Sequence, residues 1–247
     1  MTGTQSAVSI WFDKFKKEFA LNFIKGAKWK WLVNGLSVTI QIAVAAVVIG
    51  IVLGALVAVV RTSYEGNKEE LQGFKGAMLK FGNGLCSFYL TVIRGTPVVV
   101  QLMIMYYIIF ASSTNGQLIA TVSFGINSGA YVAEIFRSGI SSVERGQFEA
   151  GRSLGMNYVQ TMWYIIIPQA IKNILPSLCN EFILLIKNTS IVSVIALHEL
   201  TYTSNSVRAN TFLAFEPLIV TAFIYFIITY IIKKLISVLE RRLHAHD

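Results

Sequence analysis

The residues able to do chemistry are few and scattered. Arg94 precedes Gly95-Thr96-Pro97, Glu134 stands three residues before Arg137, and Glu181 and Lys187 lie in an apolar stretch where Lys187 leads Asn188-Thr189-Ser190. An ionised side chain in hydrocarbon costs about 2.5–3.5 kcal/mol on insertion scales, so each must face a cavity or a partner. Glu134 and Arg137 are one helical turn apart. They form either a helix-end ion pair worth a few tenths of a kcal/mol, about 0.2–0.5, or a site where Glu134 meets an ammonium group. Gly95 and Pro97 break a helix, and backbone freed in a membrane must be buried in protein or line water. Arg94 is then either an interfacial anchor or a two-pronged donor to a carboxylate. The Lys187-Asn188-Thr189-Ser190 patch reads either as a packing kink or as pathway lining. Glu181 and Lys187, six apart, do not share a helix face.

Other chemistries lack their residues. His198, His244 and His246 are dispersed, and no Ser-His-Asp or paired-carboxylate spacing stands out. Cys86 and Cys179 sit in or beside apolar runs, which suits neither a disulfide framework nor a cysteine zinc site. No G-x-x-x-x-G-K-[ST] loop and no Gly-Lys pair occurs, so nucleotide phosphates cannot be cradled by that route. The expectation is a chain that binds no metal or cofactor of its own.

The elements that must position these groups are membrane spans. Of 247 residues, 54% are hydrophobic and only 14% charged, with a mean hydropathy of +0.60, against about 25% charged in soluble domains. Trp31 to Val60 carries no charge and includes the Gly50/Gly54 pair, a spacing that suits close helix packing. With about 20 residues per crossing, five spans are predicted near 33–60, 90–110, 117–137, 177–197 and 213–235, in a domain covering 33–247. A loop over 138–172 carries short helices. Residues 1–32 form a separate amphipathic segment, with Phe12, Phe15 and Phe19 on a face expected to lie on the membrane surface. Segments 61–80, 137–172 and 233–247 each hold four Lys or Arg, whereas 111–116 and 198–212 hold only Arg208. That bias predicts an N-terminus outside and a C-terminus in the cytoplasm, although six lysines before residue 31 run against it. Loop charges facing an anionic leaflet account for the net +8 better than nucleic acid does.

The long loop carries the most informative pattern: Glu149-Ala150-Gly151, three residues, Gly155, nine residues, then Ile165-Ile166-Ile167-Pro168. Physically it reads as a short helix, a tight glycine turn, and a second helix ending at Pro168, which cannot continue the hydrogen-bond ladder. It resembles the EAA loop of ABC-importer permeases, with Gly151 in place of the usual Ala and Ile167 in place of Leu. Arg94-Gly-Thr-Pro97, Asn127 to Gly139 and Asn180-Glu181-Phe182 resemble the polar amino acid subfamily, over about residues 33–240. Asn188 departs from the Asp usual there.

The resemblance implies an all-α integral membrane subunit of a binding-protein-dependent importer in the cell membrane. It implies alternating access and a coupling role for Glu149, Ala150, Gly151, Gly155, Ile165 and Pro168. It also implies separate ATPase subunits that use ATP and Mg, a second permease subunit (identical or not), an extracytoplasmic binding protein and a polar amino acid substrate. Two rivals are weighed against it. A proton- or sodium-driven transporter predicts internal repeats, and no convincing one is seen. A membrane enzyme predicts clustered His, Asp or Glu.

Overall fold

The computed structural model describes residues 7–66, 73–213 and 215–244. These residues form ten α-helices: α1 (Ala7–Phe19), α2 (Trp29–Gly66), α3 (Gly73–Gly95), α4 (Val98–Ile104), α5 (Gly116–Ser141), α6 (Arg145–Ser153), α7 (Tyr158–Thr161), α8 (Ile167–Asn188), α9 (Leu200–Thr211) and α10 (Phe215–His244). No strand occurs among the described residues. Among the described residues four helical stretches are long and apolar enough to cross a bilayer: Trp29–Gly66, Gly116–Ser141, Tyr158–Ile195 and Phe215–Arg241. A fifth crossing exists if α3 and the helix Val98–Ile109 count as one span, and these two are bent by 109°.

Two of the expected boundaries move for identifiable reasons. The span expected at 90–110 is broken at Thr96-Pro97, where Pro97 leaves the helical region (ψ 134°) and opens α4. The carbonyls freed there are recovered by one side chain. The Gln101 amide donates to the Ile93 carbonyl at 2.8 Å, the Thr96 carbonyl at 3.1 Å and the Thr96 hydroxyl at 2.8 Å, while Asn127 donates to the Gln101 carbonyl at 2.9 Å.

The second change is at Pro168. It does not end a helix; it lies in the first turn of α8, and the helical path runs unbroken from Tyr158 to Ile195. A wide π turn at Met162–Ile166 precedes it. That turn relieves the clash between the proline ring and the carbonyl four residues back, which would otherwise kink the helix.

The core is a helix pair made close by small residues. The buried positions of α2 (among them Thr39, Ala43, Ala46, Gly50, Gly54 and Ala58) recur every three or four residues and form one stripe. It lies along α5. A Cβ on Gly54 would come 2.5 Å from the Val132 side chain, and one on Gly50 would come 2.8 Å from Ser128. The fit is reciprocal, since Gly125 and Gly129 of α5 receive Ile49 and Leu53 of α2. In lipid, such packing takes the place of the hydrophobic drive between helices.

This pair separates two ends of the bundle. At one end Gly66 meets the Tyr158 ring, which places α7 there, with α6 packed beside it. At the other, Gly35 meets Thr203 and the Glu199 backbone, which places α9 there. The N-terminal segment joins the α9 end. Trp11, Phe15, Phe19 and Phe23 stack in a row with centroids 5.0–6.1 Å apart, and Trp11 and Phe15 abut Phe215 edge-on. Two of the three aromatics expected to face lipid, Phe15 and Phe19, are therefore spent on protein contacts, whereas Phe12 is exposed. Three non-glycine residues with positive φ, Ala27, Ala196 and Phe212, border this end.

Candidate functional site

The polar residues of α5 and α8 meet across their interface. Ser128 of α5 donates to Glu181 of α8 and Asn173 of α8 donates to Ser142, while Glu134 and Ser138 on α5 and Asn173, Ser177, Asn180 and Glu181 on α8, at three- and four-residue spacings within each helix, share that interface. Most of these side chains, with Arg94 at the end of α3, line a cavity of about 450 Å³. Arg94 reaches the cavity from the last turn of α3, just before the break at Thr96-Pro97.

Glu134 is held from two sides. Both Nε and Nη2 of Arg137 donate to its Oε1, and Arg94 Nη1 lies 3.5 Å from Oε2. The two readings of the sequence thus coexist: the i,i+3 pair forms, and the same carboxylate lines the cavity. Glu181 is buried deeper, 8% exposed, and accepts a 2.8 Å hydrogen bond from the Ser128 hydroxyl. Two carboxylates and one guanidinium around one cavity can hold a small zwitterion, with each end meeting opposite charge.

Not every sequence candidate joins this group. Lys187, Asn188, Thr189 and Ser190 do not line the cavity. There α8 tightens into a 3₁₀ turn over Thr189–Ile195. The Thr189 and Ser190 hydroxyls donate to the carbonyls of Ile186 and Lys187, three residues back. Conversely, Asn173, Ser177 and Asn180, which are not among the sequence candidates, line the cavity. Their i, i+4, i+7 spacing, which continues to Glu181, is the signal the sequence carries.

The loop pattern builds a helical knob at the opposite pole from α9. In α6, Glu149 and Ala150 are exposed and Gly151 is buried. A Cβ on Gly151 would lie 2.7 Å from the Thr161 side chain, so α6 crosses α7 closely at that point and a larger residue would have to displace Thr161. Gly155 adopts φ +76°, a left-handed turn that favours glycine. It closes α6 through Gly155 N–H to the Arg152 carbonyl at 2.9 Å and Met156 N–H to the Gly151 carbonyl at 3.0 Å. Asn157 and Gln160 form a capping box that starts α7. Ile165 is half-buried, Pro168 is exposed, and Leu154 at the tip is 76% exposed.

Residues 76–245 match the family of binding-protein-dependent transport system inner membrane components. The chain belongs to that family. The glutamine transport system permease protein of Escherichia coli (strain K12) is 35% identical over 86% of this chain and 92% of its own length. The arginine transport system permease protein of Bacillus subtilis (strain 168) is 34% identical over 88% of this chain and 94% of its own. The crystal structure of an amino acid ABC transporter with histidines matches with a TM-score of 0.79 and 40% identity, covering 90% of this chain and 97% of that one.

The protein is a multi-pass membrane permease subunit of an ABC importer, as the resemblance in its sequence implied. Among the described residues no group of three or more His, Cys, Asp or Glu is placed to hold a metal ion.

Proposed function

We propose that this permease conducts a polar amino acid through the cavity between α3, α5 and α8, with Arg94 toward the solute's carboxylate and Glu134 and Glu181 toward its ammonium group. The observation that carries this reading is the convergence of these three charges, from three separate elements, on one 450 Å³ cavity. Relatives named for glutamine and for arginine transport support the solute class. The knob formed by Glu149 to Pro168 is the docking point for a separate ATPase subunit that uses ATP and Mg. Its exposed helix and glycine-closed tip support that role. A second permease subunit faces this one across the pathway, and a binding protein delivers solute at the α9 end, which is extracytoplasmic in this reading. Alternating access then requires the knob to bind the two ATPase states with different geometry, because only a differential affinity shifts a conformational equilibrium.

The test is competition uptake into vesicles holding the assembled transporter with ATP inside and no ion gradient. Labelled glutamine or arginine should accumulate. In Glu134→Gln the preference between the neutral and the cationic amino acid should shift by about tenfold, the size of one charge-assisted contact. Accumulation that follows an ion gradient without ATP would overturn the ATP coupling. An unchanged preference with reduced expression would leave Glu134 as an ion-pair residue only.

A further inference from the structure

A second polar cleft lies beside the proposed pathway, between α2 and α3, and shares Arg94 with it. It measures about 420 Å³ and is lined by Arg61, Ser87, Leu90, Thr91, Arg94 and Gly95. Ser87, Thr91 and Arg94 stand at i, i+4 and i+7, on one face of α3. No acidic side chain lines it. Arg61 makes no ion pair among the described residues, and its Nε–H is buried without a hydrogen-bond partner. A buried N–H left unpaired is costly, and a cleft with two arginines and no lining carboxylate suits an anion, although Glu134 lies within electrostatic reach of Arg61. The Thr91 hydroxyl donates to the Ser87 carbonyl at 2.8 Å and can rotate toward a ligand.

Depth and surroundings identify the anion. Arg61 is the first charge after the uncharged run Trp31 to Val60, and it lies toward the α7 end of α2. That places it toward the membrane boundary on the knob side, five residues before Gly66, which meets the Tyr158 ring. The helices beside the cleft expose apolar side chains: Leu85, Phe88 and Val92 on α3, and Leu56 and Val59 on α2. A cationic notch set in apolar surface at headgroup depth suits an amphiphile. A soluble anion would find no use for the apolar flanks.

We propose that the α2–α3 cleft binds the phosphate of an anionic phospholipid from the leaflet on the knob side. Arg61 donates to the phosphate through its guanidinium fork, Ser87 and Thr91 donate hydroxyls, and the acyl chains lie along Phe88 and Val92. Arg94 borders both this cleft and the cavity that holds Glu134, so headgroup binding competes with Glu134 for Arg94. The binding itself stands whether or not the cavity conducts an amino acid.

The test titrates the purified full chain, in a zwitterionic detergent, with dioctanoyl phosphatidylglycerol and follows thermal stability. Dioctanoyl phosphatidylcholine and inorganic phosphate serve as comparators. The expected result is saturable stabilisation by the glycerol lipid, about tenfold weaker binding in Arg61→Gln, and an intermediate value in Arg61→Lys, which keeps the charge and loses the fork. If Arg61→Gln does not fold, Ser87→Leu on exposed α3 should show the same loss. Absence of binding, equal affinity in the variants, or equal binding of the choline lipid would overturn the site. Full displacement by inorganic phosphate would mark it as a soluble-anion site and overturn the lipid assignment.

Discussion

At the scale of single residues, the structure separates carboxylates that share a sequence environment. Glu134 is solvated and held between two arginines, Glu181 is buried under Ser128, and Glu199 is fully buried at the start of α9. Glu199 caps that helix: its carboxylate accepts the Thr201 N–H at 2.8 Å and the Tyr202 N–H at 2.6 Å, and Tyr225 donates at 3.3 Å. Burial nevertheless pushes its pKa above the usual carboxylate value of 4.5, outweighing those hydrogen bonds. A group whose pKa is higher in the folded state contributes stability while it is protonated and loses that contribution as pH rises through the folded value. Glu199→Gln keeps a side-chain acceptor for the cap and removes the titration. The melting temperature of Glu199→Gln minus that of the parent chain should therefore increase from pH 4 to pH 8, measured by tryptophan fluorescence in detergent. A constant difference, or one that shrinks with rising pH, would contradict the burial argument. Nothing in the sequence marked Glu199, because its cost and its partners come from α2, α9 and α10 together.

At the scale of elements, glycine does two different jobs. Gly54 is a contact surface, and Gly155 is a backbone conformation. Gly54→Ile drives a side chain into Val132 and overpacks the α2–α5 seam, at a cost of at least about 1–3 kcal/mol. It should lower the yield of folded chain in gel filtration. Gly155 is exposed, and a Cβ there meets nothing within 4 Å, but its φ of +76° is costly for a β-branched residue. Gly155→Val should insert and fold at normal yield while uptake falls at least tenfold. Normal uptake in Gly155→Val would remove the docking role of the knob. The i, i+4 spacing of Gly50 and Gly54 was legible in the sequence. Gly125 and Gly129 repeat that spacing in the sequence, but only the register of α2 on α5 sets them against Ile49 and Leu53.

At the scale of the whole molecule, the long helix pair sets the knob and α9 at opposite ends, with the N-terminal aromatic row on the α9 side. Sidedness then follows from a single label. With Cys86 and Cys179 replaced by Ser, a membrane-impermeant maleimide should reach Leu154→Cys only from the cytoplasmic side and Trp11→Cys only from outside. The reverse pattern would overturn both the orientation and the ATPase docking. By itself, the sequence established an all-helical membrane chain, its family and the knob's glycine turn, because hydropathy, loop pattern and local spacing all act within one helix length. It could not establish that Pro168 stays inside a helix, that Gln101 repairs the break at Pro97, or that Lys187 to Ser190 stand apart from the cavity. Those outcomes depend on which carbonyls, helix faces and charges meet across elements far apart in the chain, and only tertiary packing brings them together.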